Sequence, residues 1–396
     1  MNIEARINSA LDVRGQFPAI ENWHYLDSAA TAQKPQVVID AITAAYARDY
    51  ATVHRGIYQR SSDMTVAYEA ARAATTELIG GAADELVFTR GATEAINLVA
   101  RVLPTEGRSR VLLSALEHHS NIVPWQLAGY AVDVCPLTAD GQIDLDAAER
   151  LVTEQHRVVA FAHVSNALGS ILDARRAAAI AHSKGALLLL DGCQAVPRIA
   201  VDVANIGCDF YAFSGHKLYG PTGIGALWGK AELLDVMPPW HGGGAMIENV
   251  TFERTTYAAP PQRFEAGTPH IVGAIGLHAA IKWVEQLSLD AIHAHEVALV
   301  AECRAALAAI PGVTLYGPED SAGIVSFNVD GVHAHDVATI LDDGGVAVRA
   351  GHHCAQPLMA LLGVDATARA SFAAHSDSSD IAALVRGIEQ VKRIFG

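Results

Sequence analysis

The segment Phe213-Ser214-Gly215-His216-Lys217, followed by Gly220-Pro221-Thr222-Gly223-Ile224-Gly225, sets an amine among small residues directly after an apolar run. A lysine so placed can reach into a cleft unobstructed and form a Schiff base with an aldehyde cofactor. The plainer role is a surface lysine in a glycine-rich loop. Asp191-Gly192-Cys193-Gln194 lies 26 residues earlier, at the end of the most apolar run in the chain. Ligands of open α/β sheets bind at the carboxyl ends of strands. A carboxylate there is costly to bury without a cationic partner. A protonated pyridine nitrogen is such a partner, and the pairing strengthens the ring as an electron sink. Alternatively, Asp191 caps a turn.

Three further segments could carry chemistry. Arg90-Gly91-Ala92-Thr93-Glu94 succeeds an apolar run and opens a helical pattern. Free N–H groups and the helix dipole make such a start an anion site, although an ordinary capping box has the same composition. Glu117-His118-His119-Ser120-Asn121 offers imidazoles that could stack on a flat ring and move protons. Arg349-Ala350-Gly351-His352-His353-Cys354-Ala355-Gln356-Pro357 presents a thiol beside two imidazoles and an arginine, a setting that favours thiolate. A structural cysteine is the competing role, but such residues more often sit in apolar runs, as Cys303 does. The paired histidines lack a spaced histidine or carboxylate to complete a metal pattern, so no metal is expected.

These segments need a frame to hold them. Apolar runs read as strands at Glu85–Thr89, Val111–Ser114, Val158–Val164, Ala186–Asp191, Phe210–Ser214 and Ile224–Trp228. Helical patterns lie between and beyond them at Ala67–Ile79, Glu94–Leu103, Ala174–Ser183 and Ala274–Gln286. Such alternation predicts an α/β fold with a mainly parallel sheet. From about Ser288 a long helix, Leu289–Ile310, precedes short strands at Val313–Tyr316, Gly323–Val329 and Val346–Arg349, then helices to the end. The expected division is a large domain over 24–287 and a smaller α+β domain made of 1–23 and 288–396. The N-terminal segment is expected to be helical and to pack on the smaller domain.

Composition narrows the class. The chain has 396 residues, 51% apolar and 18% charged, with a net charge of -15. That describes a folded globular protein and disfavours nucleic acid or an anionic membrane as partner. Five scattered cysteines without a CxxC pair, and a charged N-terminus without an apolar core, predict reduced thiols in the cytoplasm. No GxSxG elbow accompanies His241-Gly242-Gly243-Gly244, and neither GxGxxG nor a Walker A motif occurs.

Jointly, these segments resemble the class V aminotransferase-like enzymes that use pyridoxal 5'-phosphate (PLP). Within them the chain resembles the group II, Suf-type cysteine desulfurases, which include selenocysteine-lyase-like members. The resemblance also rests on Tyr25-Leu26-Asp27-Ser28-Ala29-Ala30, His54-Arg55-Gly56-Ile57, His163-Val164-Ser165-Asn166 and Arg263-Phe264-Glu265-Ala266-Gly267-Thr268-Pro269. It implies the PLP-dependent transferase fold type I, with a seven-stranded sheet in the large domain. It implies Lys217 as Schiff-base lysine and proton-moving base, His118 stacked on the ring, Asp191 at the pyridine nitrogen and Gln194 at the ring hydroxyl. Thr93, Ser214, His216 and the backbone of Ala92 would hold the phosphate, joined by Gly267 and Thr268 of a second subunit, so a homodimer with shared sites is implied. Asn166, Arg349 and Arg369 would bind the substrate carboxylate. Cys354 would take sulfur from L-cysteine, or selenium from L-selenocysteine, and pass it as a persulfide to an acceptor protein for iron–sulfur clusters or other sulfur metabolism. A class V transaminase or epimerase is the alternative within PLP chemistry. Two departures stand out: Ala92 replaces a common threonine, and His375-Ser376-Asp377 replaces a Tyr-Asn-Thr stretch expected to shape the wall near Arg369.

Overall fold

The computed structural model describes residues 11–395. Its centre is a seven-stranded sheet: β1 (Leu86–Thr89), β2 (Arg110–Ser114), β3 (Ala131–Cys135), β4 (His156–Ala162), β5 (Leu187–Asp191), β6 (Phe210–Ser214) and β7 (Gly225–Gly229). The spatial order is β1-β7-β6-β5-β4-β2-β3. Only β7 runs antiparallel to its neighbours. Every residue of β4 is buried, as are the last four of β5, which suits strands covered on both faces. The apolar side chains of the two faces form separate clusters.

Edge strand β3 was not legible in the sequence. Its Ala-Val-Asp-Val-Cys run is half solvent-facing, and Asp133 pairs with Arg110 of β2 at 2.5 Å. Helices α1 (Gln59–Glu77), α2 (Ala92–Val102), α3 (Ala174–Ser183) and α4 (Ile271–Leu287) cover the sheet. Asp173 starts α3 by accepting the Arg176 N–H at 3.0 Å.

Beyond α4, α5 (Leu289–Ala308) leads into a four-stranded sheet of β8 (Val313–Tyr316), β9 (Ile324–Val329), β10 (Arg349–Gly351) and β11 (Thr367–Ser371). Its order is β8-β9-β11-β10, all antiparallel, and α6 (Gln356–Leu362), α7 (Ser378–Phe395) and the helix Ala334–Asp343 complete this part. Two expectations are corrected here. The run expected as one strand at Val346–Arg349 splits: Val346-Ala347 pairs with His24-Tyr25, and Arg349 begins β10. The stretch expected to be helical to the end contains β11, buried throughout despite its small and polar side chains.

Residues 1–10 of the expected N-terminal helix lie outside the described residues. The chain from residue 11 to β1 begins with two 3-10 turns, Arg14–Gln16 and Pro18–Ile20, in place of a helix. Arg14 reaches Asp380 of α7 at 2.9 Å, while Phe17 packs edge-on against Trp283 of α4 at 5.4 Å between ring centres. This segment therefore ties the two parts together. No helix among the described residues is long and apolar enough to cross a membrane.

Candidate active site

The carboxyl ends of β5 and β6 open into a cavity of about 190 Å³. Sequence-distant candidates converge there: Ala92, Thr93, His118, Asn166, Asp191, Gln194, Ser214, His216, Lys217, Arg349, Cys354 and Arg369. Gly267 and Thr268 do not. They line separate clefts beside His54, Arg55 and His270.

Backbone geometry sets the floor. After Asp191 the chain runs against Tyr211 so closely that a Cβ on Gly192 would lie 2.1 Å from that ring, so only glycine fits. Asp191 is 7% exposed and accepts the Cys193 N–H at 3.0 Å. Its second oxygen has no protein partner among the described residues, nor does the Lys217 amine. Lys217 ends a 3-10 turn directly after β6.

The α2 N-terminus faces the same space. The Ala92 N–H donates to Ser214 Oγ at 2.9 Å, and Thr93 Oγ1 lies 2.7 Å from Ser120 Oγ. Alanine at 92 leaves the backbone donor but no hydroxyl. His216 Nδ1 sits 3.1 Å from Thr31 Oγ1. Burial, with the Lys217 cation adding to it, pushes both His216 and His118 down to about 4. His118 Nδ1 accepts the Ser120 N–H at 3.0 Å, so its neutral ring carries the proton on Nε2. Behind it, Glu117 is fully buried and held by Ser114, Asn121 and the Ala162 N–H at 2.5, 2.7 and 3.0 Å.

The opposite wall carries positive charge. Arg349 and Arg369 face each other directly across β10 and β11. Arg369 is 2% exposed; Nη1 donates to the Asn166 carbonyl at 2.7 Å and Nη2 to Asp27 at 2.9 Å. Its Nε is buried without a partner. Asp27 belongs to a quoted motif, but the sequence did not single it out as the partner of this arginine. The 375–377 stretch does not shape this wall. His375 is buried against Phe17 at 5.0 Å, away from the cavity.

Cys354 is half-buried and the other four cysteines are buried. The expectation that both neighbouring imidazoles charge the thiol's surroundings is corrected. His353 turns to Thr367, 2.8 Å from its hydroxyl, and burial holds its ring far below the usual histidine range. His352 Nδ1 instead accepts the Cys354 N–H at 3.1 Å. His353 and Cys354 both have positive φ, 52° and 54°, at a cost on the order of 1–3 kcal/mol each. Contacts with the large part hold them there: His119 N–H donates to the Cys354 carbonyl at 2.7 Å, and Asn166 Nδ2 to the His353 carbonyl at 2.7 Å. These two bonds fasten the loop at the edge of the cavity.

This donor set fits PLP. A buried carboxylate with a free oxygen suits the pyridinium nitrogen, an unpaired amine suits the aldehyde, and a helix N-terminus flanked by hydroxyls suits the phosphate.

Known proteins agree with that fit. The model of the family "Aminotransferase class-V" matches residues 24–384. A cysteine desulfurase of Dickeya dadantii is 48% identical, covering 97% of each chain. A probable cysteine desulfurase of Halalkalibacterium halodurans is 48% identical over 94% of each. The crystal structure of the cysteine desulfurase CsdA from Escherichia coli superposes with a TM-score of 0.91 at 40% identity, covering 97% of this chain and 98% of that one. The chain thus belongs to the class-V aminotransferase family of PLP-dependent enzymes, and within it to the cysteine desulfurases.

Proposed function

We propose that the chain is a group II, Suf-type desulfurase that converts L-cysteine to L-alanine and receives the sulfur on Cys354. The observation that carries this is the convergence of Lys217, Cys354 and the facing Arg349–Arg369 pair on one cavity. Like charges directly opposite on a sheet destabilise it, and Asp27, 2.9 Å from Arg369, offsets one of the two, leaving room for a second anion. A substrate carboxylate is such an anion, and Arg369 Nε is a donor in need of an acceptor.

Bound PLP supplies an electron sink for the charge left when Cα loses its proton. Asp191 would keep the pyridine nitrogen protonated, His118 would lie against the ring, and Ala92, Thr93, Ser214 and His216 would hold the phosphate. Arg349, Arg369 and Asn166 orient the substrate, and Lys217 takes the Cα proton. The Cys354 thiolate attacks the substrate sulfur. A sulfur–sulfur bond forms on Cys354 as the carbon–sulfur bond breaks, and the three-carbon product leaves as alanine once protonated. An acceptor protein then takes the persulfide sulfur. Four buried thiols and one half-buried one, all outside disulfides, suit a reducing compartment, so the cytoplasm is its place.

The same reading includes a two-fold homodimer and the division into a large domain over 24–287 and a smaller one made of 1–23 and 288–396. Gly267 and Thr268 lie outside their own cavity, and Ile57, Tyr58 and Phe252 are exposed apolar side chains. A partner subunit would cover these side chains and receive Gly267 and Thr268 at its phosphate. The test is separate assay of alanine, sulfide and selenide from cysteine and selenocysteine, with sedimentation of the active enzyme. Equimolar alanine and enzyme-delivered sulfur from a dimer is expected. Pyruvate or a racemised amino acid as the main product would overturn the reading.

A further inference from the structure

Gln194 lines the cavity, yet both ends of its amide are already engaged by protein. Nε2 donates to the Ala29 carbonyl at 2.7 Å, and Oε1 accepts from Arg198 Nη1 at 2.8 Å. Arg198 is a donor only, and a backbone carbonyl is an acceptor only. Turning the amide over would set N–H against N–H and oxygen against oxygen. The Ala29 carbonyl and Arg198 together therefore fix which way Gln194 faces. The amide nitrogen has a second hydrogen, and it is the group left for the cavity.

Arg198 is itself held from the other part of the molecule. Its Nε lies 3.1 Å from Glu296 Oε2 of α5, an ion pair without hydrogen-bond geometry, and both side chains are buried. Space for the pair exists only because residue 323 lacks a side chain. A Cβ there would lie 2.3 Å from Glu296 Oε2 and 2.7 Å from Arg198 Nε.

We propose that Arg198 and Glu296 are positioning residues that lock the Gln194 amide with an N–H toward the ring oxygen of the cofactor. This rests on the reading of Gln194 as the residue at that oxygen. A hydrogen bond to a ring phenolate favours the deprotonated form of the lysine–cofactor linkage, which carries the fuller negative charge on oxygen. Losing the lock therefore raises the pH midpoint of the bound cofactor's visible absorbance change.

That midpoint is read on holoenzyme without substrate. Gln194→Leu is expected to raise it by roughly one pH unit, the scale of one hydrogen bond to a charged group. Arg198→Met with Glu296→Leu replaces the buried pair by apolar side chains of similar volume, a change that folds often tolerate. It should give at least half the Gln194→Leu shift. Arg198→Lys, which keeps a donor-only cation, should return most of it. If the paired substitution fails to fold, Arg198→Leu with Glu296→Gln is read in its place. A shift in Gln194→Leu with none in the paired variant overturns the role of Arg198 and Glu296 alone. No shift in either overturns the placing of Gln194 as well.

Discussion

Asn166 Nδ2 donates to the His353 carbonyl at 2.7 Å, and the Asn166 carbonyl accepts Arg369 Nη1 at the same distance. One side chain and its own backbone thus join the residue before Cys354 to the arginine expected at the substrate carboxylate. The two positive-φ residues of the loop stay in place partly through this bond. Asn166→Ala should free the loop: alanine formation falls roughly 10–100-fold, the scale of an ångström-level misplacement. Alkylation of Cys354 should speed up in parallel. Unchanged alkylation with normal turnover would show that the bond does not hold the thiol.

Arg369 offers a planar fork that one carboxylate can engage, and a lysine ammonium is a single point of charge. In Arg369→Lys the KM for cysteine should rise about tenfold or more, at roughly 1.4 kcal/mol per factor of ten. The cofactor spectrum should be unchanged, because the proposed role of Arg369 is to bind the substrate carboxylate. A spectral change with unaltered KM would place Arg369 at the cofactor.

Acid should destabilise the protein between pH ~6.5 and ~4.5. Burial holds His118, His163 and His216 at about 4 and His375 at about 3, and it holds His353 lower than its usual range as well. In the unfolded chain each titrates near ~6.5, so their stabilisation is present above that pH and is lost as pH falls. Glu117 and Glu296, raised by burial to about 7, act oppositely: they bind protons in the folded state first and add stability as pH falls. Five imidazoles outweigh two carboxyls. The urea midpoint of the apo-protein should therefore drop through this window. A flat or rising midpoint would contradict the neutral buried histidines.

Much of this was legible because its physics is local. The runs that became β5 and β6 are apolar enough to be central strands, and Asp191 and Lys217 stand at or just past their ends. Strand β11 was hidden because Thr367-Ala368-Arg369-Ala370-Ser371 has little apolar character. It is a strand because β9 and β10 flank it, and that pairing spans residues far apart in sequence. Arg198 and Glu296 were invisible for the same reason: nothing nearby in sequence marks a buried pair formed across two parts of the chain. His353 shows the converse, for adjacency to Cys354 implied a shared environment that a positive-φ turn abolishes.

The central claim is sulfur transfer to Cys354, and Cys354→Ala tests it most directly. In this variant Lys217, Asp191 and the phosphate-binding groups are intact, so PLP should bind and its spectrum should still respond to cysteine. Alanine release should be nearly absent, because no thiolate attacks the substrate sulfur. The matching measurement is mass spectrometry of the wild type after brief turnover: the peptide holding Cys354 should carry one extra, reducible sulfur. Near-normal alanine formation by Cys354→Ala, or a persulfide found only on Cys135, Cys193, Cys208 or Cys303, would contradict the account.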